Sequence, residues 1–126
     1  MNSNVNDKLK ELIIEDFIWI IYIGIIFMSW YANSLERKYY TKNDENAKVK
    51  YREIMIGIFL VLLFVYLYFL YSSYQDIKEL KPNDPEKKKR LIILSFIGSL
   101  FIVFSGIIFL YIAFEDEDLN VELAFN

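Results

Sequence analysis

The sequence predicts an all-α membrane protein: three transmembrane helices in an up-down-up bundle with short extramembrane helical turns. The first observation is compositional. The 126 residues are 56% hydrophobic and 18% aromatic, well above ordinary soluble usage. The second is distribution, because the apolar residues fall into three blocks instead of spreading along amphipathic elements. The third is the dense charge between the blocks. Length alone fits one domain, residues 1–126.

The spans are expected at about 12–33, 54–74 and 91–114, and a helix needs about 20 apolar residues to cross the hydrocarbon core. The first carries the run Leu12–Ala32, the second Ile54–Tyr71 and the third Leu91–Phe114. The second and third runs hold no charged residue. Leu, Ile, Phe and Val each contribute roughly −0.3 to −0.6 kcal/mol at mid-membrane, so these runs favour insertion. Glu15 and Asp16 interrupt the first block. Each would cost about 2.5–3.5 kcal/mol at the bilayer centre, so both are expected at an interface. That leaves Phe17 to about Asn33 inside, a slightly short span that calls for thinning or close packing. Trp30 and Tyr31 suit the opposite interface. Cleavage as a signal peptide is not expected: acidic residues precede the apolar run, and bulky Trp30 occupies a position that requires a small residue.

The connections read as helical extensions around two tight turns. Lys42-Asn43-Asp44-Glu45-Asn46 is turn-prone, since Asn and Asp side chains hydrogen-bond nearby backbone groups. Pro82 stops the second helix, Asp84 is expected as the next N-cap, and Pro85 as the first helical residue. The third helix should therefore begin several residues before the lipid.

The charge between spans sets an orientation. Lys8, Lys10, Lys78, Lys81 and the cluster Lys87, Lys88, Lys89 and Arg90 share one side; Arg37, Lys38, Lys42, Lys48, Lys50 and Arg52 share the other. The positive-inside rule places the N-terminus in the cytoplasm and the C-terminus outside the cell membrane. Lys87–Arg90 also suits lipid headgroups. The tail, 115–126, is acidic with no basic residue. It is expected either to fray or to lie against Lys48, Lys50 and Arg52 with Leu119, Leu123 and Phe125 docked.

Chemistry is constrained by what is missing. There is no cysteine and no histidine. That excludes a disulfide framework, a thiolate metal site, a Ser-His-Asp triad and the usual zinc ligands. No enzyme activity, metal or cofactor is expected. The net charge of −3 gives no nucleic-acid footprint. The expected partners are the bilayer and, through the spans, a second copy or another membrane protein.

Two constellations remain. In the third span Ser95, Gly98, Ser99, Ile102, Ser105, Gly106 and Ala113 recur every three or four residues. Small residues let helix backbones approach, and serine hydroxyls can bridge helices for roughly 0.6–2 kcal/mol each. The same residues could instead line a polar path. In the first span Glu15, Trp19, Tyr22, Ile26, Ser29 and Asn33 make a polar stripe. Glu15 and Asp16 would sit level with Tyr71 and Tyr74, a carboxylate–phenol cluster of the kind used in proton or cation coupling. A first-turn carboxylate favourable to the helix dipole is the simpler reading.

These features favour a small non-catalytic membrane subunit, accessory, regulatory or immunity-type. The alternative is a homo-oligomeric pore or a small ion- or proton-coupled transporter. The chain resembles holins in architecture only: three spans with charged ends. Its acidic tail departs from the basic one common among them. Against a transporter, the spans carry no central charge and no proline break.

Overall fold

The computed structural model describes residues 2–121. It is all-α, with no strand among the described residues: α1 (Asn2–Lys42), α2 (Glu45–Lys78) and α3 (Glu86–Glu115). Both prolines of the chain, Pro82 and Pro85, lie outside the helices, so no helix interior loses a backbone hydrogen bond to a ring nitrogen. The helices contain 41, 34 and 30 residues. At about 1.5 Å per residue they run roughly 60, 50 and 45 Å, longer than a hydrocarbon core of about 30 Å. Each helix therefore holds a span and extends beyond it.

All three are long and apolar enough to cross a membrane. Their outward surfaces show why water is the wrong solvent for them. Phe17, Trp19, Ile20, Phe27, Trp30, Phe64, Phe101 and Phe104 are all exposed. Continuous apolar surface of this extent is tolerated where lipid takes the place of water. Burial is uneven: 28% of the most apolar window of α2 is buried, against 11% for α1 and for α3. Most of the shielded surface therefore belongs to α2, and α1 and α3 keep theirs outward.

The chain divides into two compact units, Met1–Ile54 and Met55–Asn126, with the boundary inside α2. The first contains α1 and the opening turns of α2. Its turn is shorter than the five residues expected, being Asn43 and Asp44 alone. Asn43 adopts φ 51°, the left-handed conformation that ends many helices and that Asn accepts more readily than most residues. Asp44 then caps α2. Its Oδ1 accepts the backbone N–H groups of Asn46 at 3.1 Å and Ala47 at 3.2 Å, donors that have no partner within the helix. Near the turn Ala32, Leu35, Ala47 and Tyr51 are buried. The Lys48 ammonium sits 5.1 Å from the centre of the Tyr39 ring and 3.6 Å from Glu45.

In the second unit α2 and α3 run antiparallel, and the register is clear from three levels. Phe59 stacks on Phe109 with ring centres 5.8 Å apart. Gly106 lies against Tyr66 and Leu63. Ser73 bonds Ser99 at 3.0 Å. Along its length α2 also buries Met55, Ile58, Phe59, Leu62 and Val65, at a helical spacing of three and four.

The second turn corrects one expectation. Asp84 does not cap α3. The N-cap is Pro85, with ψ 145° and no side-chain cap bond, and its carbonyl accepts the N–H of Lys89 at 3.1 Å. Asp84 faces backward instead: Oδ2 accepts the Lys81 N–H at 2.8 Å and Oδ1 pairs with Lys88 at 3.4 Å. The physical reason is that the fixed φ of Pro85 and its extended ψ turn the preceding carboxylate away from the first helical amides. That hydrogen bond from Lys81, aided by the charge of Lys88, holds the Asp84 carboxyl below its ordinary pKa.

After α3 the chain forms a small turn around Asp116, whose carboxylate accepts N–H groups from Asn120 at 2.9 Å and Val121 at 2.8 Å. Those bonds, the one to Asn120 foremost, hold its carboxyl below the ordinary value. Leu119 takes φ 55° there and is half-buried. Leu123 and Phe125, which the tail-docking expectation also involved, lie outside the described residues.

Candidate functional site

The best-defined polar feature within a span is the serine pair of the second unit. Ser99 Oγ donates to the Ser95 carbonyl at 3.0 Å. A hydroxyl has one proton, so the Ser73–Ser99 contact at 3.0 Å uses the Ser73 hydroxyl as donor. Ser73 is itself buried. The result is a short chain, Ser73 to Ser99 to the Ser95 carbonyl, that leaves no hydroxyl proton facing hydrocarbon. Two turns along α3, Gly106 permits the closest approach: a Cβ there would stand 3.1 Å from Tyr66 Cδ2 and 3.5 Å from Leu63 Cδ1. Val103 and Ala113 are buried on the same side.

The structure thus divides the small-residue face expected for α3. Ser99, Gly106 and Ala113, seven residues apart, belong to the seam with α2. Ser95, Gly98, Ile102 and Ser105 are exposed, and a Cβ on Gly98 would meet nothing within 4 Å. Taken over all seven residues, the two sets centre only about 60° apart around the helix, so the exposed set directly adjoins the seam. One is filled by the chain itself; the other is open.

The remaining expected residues are placed as follows. Glu15 is half-buried and Asp16 exposed, both on α1 in the first unit. Tyr71 and Tyr74 belong to α2 in the second unit, and both are exposed. Tyr74 packs beside Phe96, 6.3 Å between ring centres, with the Lys78 ammonium 5.4 Å from its ring. On the α1 stripe Tyr22 meets Trp19 edge-on at 5.7 Å. The Ser29 hydroxyl is screened from solvent with no hydrogen-bond partner among the described residues, while Ile26 and Asn33 are exposed. In the basic cluster, Lys88 pairs with Asp84, and Lys89 reaches Glu86 at 3.5 Å and the Pro82 carbonyl at 3.0 Å. Those two fasten the turn. Lys87 and Arg90 are exposed. No group of three or more acidic side chains suited to a metal ion occurs among the described residues.

One feature escaped the sequence reading. On α1, Phe27, Trp30, Tyr31 and Ser34 line an open apolar groove of about 300 Å³. The signal was available in the spacing of three, one and three, which continues one helical face past the end of the apolar run.

This arrangement defines a class, a small all-α membrane protein whose three apolar helices are joined by two tight turns. Beyond that class no relative helps: no family model matches the chain, and no match is found among curated proteins or solved structures.

Proposed function

We propose that the chain is a non-catalytic membrane subunit, accessory, regulatory or immunity-type, that associates through α3 with a second copy or with another membrane protein. The observation that carries this reading is the open stripe Ser95–Gly98–Ile102–Ser105. Apolar side chains gain nothing by leaving lipid for a helix surface of equal polarity. Association inside a bilayer therefore depends on close backbone approach and on polar bridges. This stripe offers both, beside a seam in which the same residue types already serve α2.

The test is the native mass of the protein extracted gently from its own membrane, compared with that of a Gly98→Leu variant. A second polypeptide in the complex, lost in the variant, supports the accessory-subunit reading and supplies the partner. A pure homo-oligomer that the variant dissociates moves the pore or transporter reading ahead, and neutral substitutions at Glu15 and Asp16 in a flux assay then follow. A monomer for both proteins overturns association through α3.

A further inference from the structure

We infer that the α1 groove is a binding site for an anionic phospholipid, its acyl chain along Phe27, Trp30 and Tyr31 and its phosphate held by Arg37 and Lys38. The argument rests on the membrane-spanning reading and begins with helical phase. At about 100° per residue, Phe27, Trp30, Tyr31, Ser34, Arg37 and Lys38 all fall within roughly 60° of the direction of Ser34. All but Ser34, which is half-buried, are exposed. The buried residues of α1, among them Ile18, Ile25 and Ala32, occupy the other side. The face is therefore a continuous strip, aromatic at one end and cationic at the other.

Depth agrees with that assignment. The apolar run of α1 ends at Ala32. Arg37 and Lys38 stand five and six residues further on, a rise of roughly 8–9 Å. A headgroup layer is about 5–8 Å deep on each side of the hydrocarbon, and long cationic side chains bend back toward it. Trp30 and Tyr31 then lie at the boundary, where amphipathic rings prefer to be.

Charge selects the occupant. Between Phe27 and Thr41 the sole acidic residue is Glu36, about 200° around the helix from Ser34 and so on the packed side. The strip presents two cations and no anion. The groove is shallow and open along one helix, a surface on which an acyl chain can lie. The Ser34 hydroxyl donates to the Tyr31 carbonyl at 2.6 Å, which keeps the groove wall apolar.

The experiment uses the full chain carrying Trp19→Phe, so that Trp30 is the single tryptophan, in bilayers containing brominated phosphatidylglycerol or brominated phosphatidylcholine. Trp30 fluorescence should show a relative binding constant about two- to fivefold in favour of the anionic lipid, the scale of exposed ion pairs. Arg37→Gln with Lys38→Gln should bring the ratio to one while quenching by phosphatidylcholine and helix content stay unchanged. Lys87→Gln with Arg90→Gln removes the same charge elsewhere and should keep the preference. A ratio of one in the parent, or a preference that survives the Arg37/Lys38 change, overturns the lipid site alone. Quenching by neither lipid overturns the membrane placement with it.

Discussion

Glycine 106 shows how much a single residue can decide in this fold. Its missing side chain lets α3 approach Tyr66, and a methyl group placed there would stand 3.1 Å from the ring. Gly106→Ala should therefore press the ring aside by a few tenths of an ångström, a crowding that offsets the roughly 1 kcal/mol of helix propensity the added methyl group supplies. Gly98→Ala meets open space and should leave the fold of the chain unchanged, gaining slightly in helix propensity. Thermal denaturation of both variants in detergent measures the difference, and equal stabilities would contradict the seam as described. This contrast was not legible in the sequence. Ser95, Gly98, Ser99, Ile102, Ser105 and Gly106 recur at helical spacing, yet Gly98 and Ser99 differ by 100° in direction. Spacing shows that a helix has a small-residue side. The phase of that side against α2 depends on Phe59, Leu63 and Tyr66, and no local pattern contains it.

At the scale of the elements, the spans themselves were plain because nothing interrupts their apolar runs except Glu15 and Asp16. The turns were half legible. Asn43 and Asp44 belong to a type-restricted position, one in left-handed conformation and one capping, so their identities announced the turn. Asp84 has the same chemistry, but an Asp carboxylate can serve amides on either side of it, and only the backbone direction at Pro85 selects Lys81. The Asp44 cap gives a direct prediction. Asp44→Ala removes the acceptor for two backbone N–H groups and should cost about 0.5–2 kcal/mol. It should also speed hydrogen exchange at Asn46 and Ala47 before it affects the centre of α2. Unchanged exchange at both amides would show that the cap contributes nothing. The tail follows the same logic on a smaller scale. The left-handed backbone of Leu119 costs roughly 1–2 kcal/mol and is held in place by the two amides that Asp116 accepts.

At the scale of the whole molecule, the features agree on one solvent. Helices of 41, 34 and 30 residues exceed the membrane, their outward faces are apolar over one segment each, and charge gathers beyond both ends of those segments. Within the second unit the turn between α2 and α3 reverses the chain, as the Phe59–Phe109 and Ser73–Ser99 contacts show. Labelling of single cysteines tests this most directly, because the natural chain has none. Cysteines at Asn6, Asn43, Asn83 and Asn126 would be reacted with an impermeant reagent in sealed vesicles of known orientation. Three spans require Asn6 and Asn83 to label from one face and Asn43 and Asn126 from the other, with the first pair cytoplasmic if the positive-inside bias holds. Labelling of Asn43 and Asn83 from the same face would mean that α2 does not cross, and the three-span account would fall.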